Sequence, residues 1–174
     1  SISRQNLSVV IVSFISEEVI HNCIKSIPKD IKIIVVDNSG NEKFKSSIEQ
    51  KYNNIKCILS SENLGMGAGN NLGLKYSSTD YVLILNPDVI LENNTIDELI
   101  NASNKIESFG IIAPIVNSDK NINYKLFNEK KINLDFSNPF KVKSVDGFAM
   151  LLNKKKINQI KNFKNFKFFD ENIF

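Results

Sequence analysis

The sequence predicts one α/β domain over residues 1–174, with a mostly parallel sheet flanked by helices. Strand-sized apolar runs alternate with helix-sized segments along most of the chain, as expected for parallel strands joined by crossover helices. The apolar runs are rich in β-branched residues and end at polar or turn-forming residues. Hydrophobic residues make up 42% and charged residues 24%, which excludes disordered, collagen-like and disulfide-rich classes.

The elements of the first half follow from these runs in chain order. Ser16 is placed to cap the first helix, acidic residues suit its first turn, and Pro28 lies beyond its end. A turn cluster from Asp37 to Gly40 ends the second strand. The predicted elements are strands at 7–13, 31–36, 55–59 and 81–85, separated by helices at 16–26, 42–51 and 67–76.

The second half of the chain is less regular. Asn86-Pro87-Asp88 ends the fourth strand, and Asn94 is placed to cap a long helix that extends to about Ser108. Residues 117–142 are rich in Asn and Lys and are expected to be mostly irregular. The remaining predicted elements are strands at 109–115, 122–126, 143–145 and 148–152 and a short helix at 154–161.

Composition and residue placement disfavour several kinds of site. The one histidine, His21, falls on a predicted helix, which leaves little material for Ser-His-Asp or Cys-His catalysis. Cys23 and Cys57 lie in apolar stretches without CxxC spacing, so we expect buried free thiols rather than a zinc site. The net charge is +3 and nearly all basic residues are lysines, which favours a solvated basic face over a nucleic-acid site.

Sequence features also bear on location. No apolar run is long enough to span a bilayer, and no basic-then-apolar leader is visible. We therefore expect a cytoplasmic chain without a transmembrane segment. The lysine excess in residues 120–174 leaves open a weak attraction to anionic lipid at the inner face of the cytoplasmic membrane, or to phosphorylated acceptors.

A polar residue follows each of the first four strands, namely Ser13, Asp37, Asn63 and Asp88. The carboxyl ends of parallel strands share one sheet edge, where ligands of such sheets bind, so we expect these residues to lie together. Asp37 either accepts a hydrogen bond from a nucleotide or closes an Asx-turn. Asn86 and Asp88 either present oxygens to Mg²⁺ or Mn²⁺ carrying a diphosphate, or form a plain turn.

The glycine cluster at 65–73 argues against two nucleotide-binding classes. It follows the third strand rather than the first, and Asn70 stands where a dinucleotide fingerprint needs its last glycine. The sequence contains no GxxxxGK[ST] motif. NAD enzymes and P-loop NTPases are therefore disfavoured.

Five segments together resemble the family 2 glycosyltransferases of the GT-A fold, particularly their rhamnosyltransferase-like branch. The resemblance spans residues 7–174, and its most specific part is the pair formed by the third and fourth segments. The matching segments, in chain order, are Val9–Phe14, Val35–Ser39, Glu62–Gly73, Leu85–Asp88 and Val145–Leu151.

The resemblance implies a Rossmann-like GT-A sheet, with a nucleotide-binding part at about 7–116 and the start of an acceptor-side part at about 117–174. It also implies roles for individual residues. These are Ser13, Phe14 and Asp37 in the nucleotide-base pocket, Asn63 and Gly65 beside the nucleoside, Asn86 and Asp88 in the metal and diphosphate element, and Asp146 and Gly147 beside the donor sugar and acceptor.

The implied reaction is transfer of a sugar from a UDP- or dTDP-sugar to a hydroxyl of a glycan or lipid-linked acceptor, with inversion, in polysaccharide or glycan biosynthesis. The implied cofactor is Mg²⁺ or Mn²⁺. Rhamnose is the branch's common donor sugar, although no residue of this chain selects it.

Three departures from the family pattern shape the expectations. Asn86, at the first position of the DxD-type element, is neutral, which predicts weaker metal affinity. Ile15 stands where an asparagine is often found. The family's general base lies in an acidic motif just beyond a segment like Phe168–Phe174, so the sequence predicts a chain truncated before its base.

That expected truncation has two consequences. Asp170 and Glu171 match residues that precede the base, so we expect poor catalysis by this chain alone. We also expect self-association through partly exposed aromatic residues near the end of the sequence. These residues are Phe163, Phe166, Phe168, Phe169 and Phe174.

Three other functions compete with sugar transfer as interpretations of the sequence. A nucleotide-sugar-binding module without catalysis stays open. A sugar-nucleotide pyrophosphorylase is less favoured, because it begins with a Gly-rich loop that Ser13-Phe14 does not supply. A phosphoacceptor receiver domain would need an acidic pair at the end of the first strand, which is absent.

Overall fold

The computed structural model describes residues 1–116, 118, 120–128 and 134–159. A 3-10 turn at Arg4–Asn6 precedes the regular elements. In chain order these are β1 (Leu7–Ser13), α1 (Glu17–Lys25), β2 (Lys32–Asp37), α2 (Glu42–Lys51), β3 (Ile55–Leu59), α3 (Gly65–Tyr76), β4 (Tyr81–Leu85), α4 (Thr95–Asn104), β5 (Ile111–Ile112), β6 (Tyr124–Lys125), β7 (Ser144–Val145), β8 (Ala149–Asn153) and α5 (Lys154–Gln159).

The strands form one main sheet with the order β3-β2-β1-β4-β8-β5. The strands β1 to β4 are parallel to one another, whereas β8 runs antiparallel between β4 and β5. β6 and β7 form a separate two-stranded antiparallel sheet. The α/β prediction with a mostly parallel sheet is therefore confirmed.

Alternate residues of each central strand point to opposite faces, and each face has its own apolar core. The helices α1, α2 and α4 pack on one face, against Val9, Ile11, Ile33, Val35, Leu83 and Leu85. The helices α3 and α5 pack on the other face, against Val10, Val12, Ile34, Val36, Val82 and Ile84. Because both faces are covered, the strands are continuous apolar runs rather than alternating ones.

The strand order reverses between β1 and β4, and this reversal defines a crevice. The chain moves outward from β1 to β3 with its crossover helices on one face, then returns through α3 on the other face to β4. In open α/β sheets a ligand binds beyond the carboxyl ends of the strands at such a reversal. The fold thus points to the edge beyond Ser13 and Leu85.

Two glycines let α3 approach the sheet closely. A Cβ atom on Gly69 would lie 2.7 Å from a methyl carbon of Val12, and one on Gly73 would collide with Val10. A side chain at either position would push the helix away from β1. The glycine cluster therefore serves helix-to-sheet packing.

Several predicted boundaries were wrong. The strand predicted at 109–115 covers only Ile111–Ile112, because Pro114 has no N–H to continue the ladder and its carbonyl accepts from the Asn123 amide instead. The helix expected to reach Ser108 ends at Asn104, where the backbone tightens into i to i+3 bonds. The helix predicted from 67 begins at Gly65.

The predicted side-chain caps at Ser16 and Asn94 were also wrong. The Ser16 hydroxyl bonds to the backbone of Phe14, and neither side chain accepts from the first turn of its helix. Helix α2 does have such a cap, since the Asn41 side-chain oxygen accepts from the Phe44 N–H at 3.0 Å.

The remaining predictions concern the cysteines, the histidine, membrane-spanning helices and the last residues of the sequence. Cys23 and Cys57 are buried free thiols, as predicted. His21 lies on α1 with its Nδ1 atom 2.9 Å from the Tyr52 hydroxyl. Among the described residues, no helix is both long and apolar enough to cross a bilayer. The aromatic residues from Phe163 onward, Asp170 and Glu171 lie outside the described residues.

Candidate functional site

The four strand-end segments meet at one edge of the sheet, as expected. Ser13 and Asp37 are paired at the ends of β1 and β2, and Asp37 is paired with Leu59 at the end of β3. Leu85, the last residue of β4, is paired with Ile11 of β1. The segments that follow, including the loop to Asn63, therefore leave the sheet on the same side.

Asp37 is almost fully buried, with 1% of its surface exposed. Its carboxylate accepts from the backbone N–H of Ser39 at 3.3 Å and of Asn41 at 2.8 Å, and from the Ser39 hydroxyl. This is the Asx-turn arrangement that the sequence left open beside a nucleotide contact. A carboxylate has about four acceptor positions, and the three donors of this turn leave about one of them for another partner.

The segment after β1 changes from buried to exposed within two residues. Ser13 is buried, whereas the Phe14 ring is 49% exposed and Ile15 is 77% exposed. Ile15 has φ +52°, a left-handed conformation that is strained for a β-branched residue. Strained backbone of this kind often occurs at binding sites, and here it lies next to the strand-order reversal.

Asn63 and Gly65 form a second turn at the same edge. The Asn63 side-chain oxygen accepts from the Gly65 N–H at 3.0 Å, and Gly65 has φ +76°. A left-handed residue is readily formed by glycine, which explains why the turn needs Gly65. Both residues are exposed; Asn63 lies just before α3, and Gly65 is the first residue of this helix.

Asn86 lies at the junction between β4 and β8. Its N–H donates to the Phe148 carbonyl at 2.9 Å, and its own carbonyl accepts from Val89 at 3.2 Å and faces the Cys23 thiol at 3.7 Å. Burial raises the pKa of the Cys23 thiol to about 12, and the negative charge of Asp88 adds to the shift. The thiol therefore stays protonated and donates towards the Asn86 carbonyl.

The antiparallel pairing of β4 with β8 places the segments that contain Asp88 and Asp146 at the same end of the sheet. Leu85 pairs with Ala149, and the chain continues beyond this pair to Asp88 on one strand and back to Asp146 on the other. Both carboxylates are exposed, and Gly147 between Asp146 and Phe148 is half-buried. The pairing thus sets the Asp146-Gly147 segment beside the Asn86–Asp88 turn, which the sequence could not show.

The donor atoms at this edge fit one particular kind of metal binding. The described residues contain no cluster of three or more His, Cys, Asp or Glu side chains able to enclose an ion. One carboxylate at Asp88 and one amide at Asn86 suit Mg²⁺ or Mn²⁺ that takes its remaining ligands from phosphate oxygens and water. The residues therefore fit a metal that arrives with a diphosphate, not a resident structural ion.

Asn38 also lies at this edge, although it was not among the site residues predicted from the sequence. Asn38 follows Asp37 directly and is 3% exposed, and it bonds to the segments on both sides of it. The sequence signal for Asn38 is a polar residue in a turn cluster that follows a buried strand. The same pattern is typical of an ordinary turn. Only the packing of α3 against β1 and β2 shows that this side chain is enclosed.

Comparison with known sequences identifies related proteins. Residues 8–164 match the family described as Glycosyl transferase family 2. The chain is 34% identical over 113 residues to the low-salt glycan biosynthesis hexosyltransferase Agl10 of Haloferax volcanii, covering 63% of this chain and 36% of that protein. It is 30% identical over 122 residues to an uncharacterised glycosyltransferase of Rickettsia typhi, covering 70% and 36%. The chain spans about a third of the length of these relatives.

Comparison with solved structures shows the fold. The chain resembles TarS 1–349 of S. aureus with a TM-score of 0.64 and 20% identity, over 89% of this chain and 49% of that one. It resembles the mannosyltransferase PcManGT of Pyrobaculum calidifontis, solved with GDP-Man and Mn²⁺, with a TM-score of 0.65 and 12% identity, over 90% and 46%. The predicted GT-A architecture is therefore confirmed.

Proposed function

The chain belongs to glycosyl transferase family 2, and on that premise we propose that it binds the nucleoside diphosphate sugar of an inverting sugar transfer to an acceptor hydroxyl in glycan biosynthesis. One observation carries the proposal. The segments after β1, β2, β3 and β4 meet where the strand order reverses, and Asp146 joins them through β8. Family membership argues against the pyrophosphorylase alternative.

The nucleoside part of the donor is assigned to Ser13, Phe14 and Asp37, with Asn63 and Gly65 beside it. The exposed Phe14 ring offers an apolar face to a base or ribose. We assign the Asp37 carboxylate, which its turn holds in a fixed orientation, as the acceptor of the imide N–H of uracil or thymine. UDP- or dTDP-sugars are therefore the proposed donors.

The diphosphate is assigned to the turn that contains Asn86 and Asp88. Asp88 and the Asn86 amide would hold Mg²⁺ or Mn²⁺ there, and the ion would offset the charge of the leaving diphosphate. Two fold relatives support the class of ligand, since TarS has been solved with UDP-GlcNAc and PcManGT with GDP-Man and Mn²⁺. Because Asn86 is neutral, we propose weaker metal affinity than a pair of aspartates would give.

The acceptor side is assigned to Asp146 and Gly147. Inversion requires a base near the acceptor hydroxyl, and general-base catalysis contributes about 10²–10⁴-fold. The family resemblance assigns that role to a carboxylate of an acidic motif. Asp146 lies at the same end of the sheet as Asp88, because Leu85 pairs with Ala149.

The acceptor, the transferred sugar and the attachment to membranes are also parts of the proposal. The acceptor is a glycan or a lipid-linked glycan, and rhamnose is the proposed sugar on the strength of the branch resemblance alone. The lysines of residues 120–156 support peripheral attachment to anionic lipid at the inner face of the cytoplasmic membrane.

The experiment that tests the proposed donor class is calorimetry with a panel of nucleotides. We expect UDP and dTDP to bind more tightly than ADP and GDP in the presence of Mn²⁺, because adenine has no ring N–H to donate to Asp37 and guanine is larger than the single-ring base assigned to this position. Asp37→Asn should reduce this preference, while Asp30→Asn, which changes an exposed carboxylate at the opposite edge, should retain it. Equal binding of all four nucleotides would contradict the pyrimidine assignment.

A further inference from the structure

Asn38 connects three segments of the sheet edge through hydrogen bonds from one residue. Its backbone N–H donates to the Ser13 carbonyl at 2.8 Å, which joins the ends of β1 and β2. Its side-chain Nδ2 donates to the Gly65 carbonyl at 3.1 Å, which joins β2 to the first residue of α3. Since Asn38 also follows Asp37 directly, a single residue links all parts of the proposed nucleoside pocket.

The side chain of Asn38 is enclosed and only partly satisfied. It is 3% exposed, and its Oδ1 atom has no hydrogen-bond partner among the described residues. A Cβ atom on Gly69 would lie 3.3 Å from its Nδ2 atom, so the glycine of α3 leaves the space that the amide occupies. A buried amide whose oxygen has no partner lowers the stability of the fold. This cost indicates that the hydrogen bond from Nδ2 to Gly65 has a role other than stability.

The acceptor of that bond does not need Asn38 for its own satisfaction. Gly65 is exposed, so water could hydrate its carbonyl if the amide were absent. The bond instead fixes where Gly65 stands relative to β2. Gly65 in turn donates its own N–H to the Asn63 side chain, so the Asn38 amide is linked through Gly65 to both ends of this turn.

We propose that Asn38 is a positioning residue for the nucleotide: its amide sets the distance between the Ser13–Asp37 side of the pocket and the Asn63–Gly65 side. This inference rests on the proposed function, because it assigns Asn38 to the nucleoside pocket of that site. The diphosphate turn at Asn86–Asp88 belongs to β4 and β8 and is not held by this amide.

The chain offers a matched control in Asn70. Like Asn38, Asn70 is an asparagine that is 3% exposed, and its Oδ1 atom has no hydrogen-bond partner among the described residues. Asn70 lies inside α3, more than one helical turn after Gly65. Asn38→Ala and Asn70→Ala therefore remove equal side chains of equal burial. Asn38→Ser is a second variant, because a hydroxyl keeps polarity at this position but is too short to reach Gly65.

The experiment measures the free chain and its nucleotide affinity separately. Hydrogen exchange without ligand is followed in a peptide covering residues 60–66, and calorimetry gives the UDP affinity with Mn²⁺ and with EDTA. Asn38→Ala and Asn38→Ser should speed exchange in this peptide and weaken UDP binding about tenfold, the effect of about 1.4 kcal/mol. The ratio of affinities with and without metal should stay that of the parent.

The control separates positioning from general stability. Asn70→Ala should lower the melting temperature about as much as Asn38→Ala but leave exchange at 60–66 and UDP affinity at parent values. If Asn38→Ala does not fold, Asn38→Ser is compared with Asn70→Ala instead. Exchange of the Asn38 side-chain amide protons in the parent tests the hydrogen bond to Gly65 directly, and we expect this exchange to be slow.

The outcomes distinguish the two proposals. If the parent binds UDP and both Asn38 variants bind it equally well, positioning by Asn38 is wrong while the donor site stands. Parent-like exchange at 60–66 in both variants, or rapid exchange of the amide protons in the parent, would also overturn it. If the parent binds no nucleotide, the donor site itself fails and the assignment of Asn38 fails with it.

Discussion

The backbone N–H of Asn86 donates to the carbonyl of Phe148 at 2.9 Å, beyond the last paired residues of β4 and β8. This bond joins the turn assigned to the diphosphate with the segment assigned to the acceptor, although they are more than sixty residues apart in the chain. The antiparallel strand β8 thus brings Asp146 to an edge that the parallel strands otherwise form alone.

Ile15 should be replaceable with a gain in stability. Its φ of +52° costs a β-branched residue of order 1 kcal/mol or more, and asparagine adopts this conformation more readily. We expect Ile15→Asn to raise the free energy of unfolding by about 1 kcal/mol in urea denaturation. Ile90→Asn replaces an isoleucine of similar exposure without a positive φ and should give no such gain. An equal change in both variants would show that strain at Ile15 is not the cause.

Gly73 should not tolerate even an alanine. Its added Cβ would collide with the Val10 side chain, and overpacking of this kind costs about 1–3 kcal/mol. Chemical denaturation of Gly73→Ala should show a loss of that size, and the further change Val10→Ala should restore part of it because the two positions are in contact. Gly110→Ala, with open space around its Cβ, should stay near parent stability. A similar loss in Gly110→Ala would contradict the packing argument.

Glu49 contacts the edge strand β3, and its ionisation should make the free energy of unfolding depend on pH. Its carboxylate accepts from the Cys57 N–H at 2.7 Å and pairs with Lys45 at 3.1 Å, so an otherwise unpaired backbone N–H of β3 is covered. The Cys57 N–H, followed by Lys45, lowers the pKa of Glu49 below its ordinary value of 4.5, despite an opposing effect of burial. Stability from this contact is therefore present above the unfolded pKa and lost as pH falls through the folded pKa.

The test of this pH effect is urea denaturation between about pH 7 and about pH 3. Glu49→Gln should lose less stability across this range than the parent, because an amide does not titrate. Glu42→Gln, at the start of the same helix, should follow the parent. If the parent and Glu49→Gln fall by the same amount, the carboxylate at Glu49 is not responsible.

Most of the parallel half of the fold could be predicted because its signals are local. The mostly apolar runs at β1, β3 and β4 gave the observed boundaries, since strands covered on both faces are rich in apolar residues along their length. The place of β8 could not be predicted, because the pairing of Leu85 with Ala149 depends on contacts between distant parts of the chain. The same limit applies to β5, whose extent is set by Pro114 and Asn123.

The candidate site divides in the same way. Asp37 and Asp88 stand out in the sequence because each follows an apolar strand, and the registers place both at one edge. Asn38 does not stand out, because its importance comes from the approach of α3 that Gly69 allows. The strain at Ile15 was likewise invisible, since no sequence pattern reports a positive φ at an isoleucine.

The central claim is that a nucleoside diphosphate binds at the β1–β4 reversal through a metal held at Asp88, and calorimetry of UDP with Mn²⁺ and with EDTA tests it most directly. We predict tighter binding with Mn²⁺ in the parent and loss of that gain in Asp88→Ala, by about tenfold or more. Asp80→Ala is the control. It removes the carboxylate that precedes β4 and pairs with Lys155, and it should keep the gain in affinity with Mn²⁺. Equal UDP affinity of the parent with Mn²⁺ and with EDTA would contradict the claim.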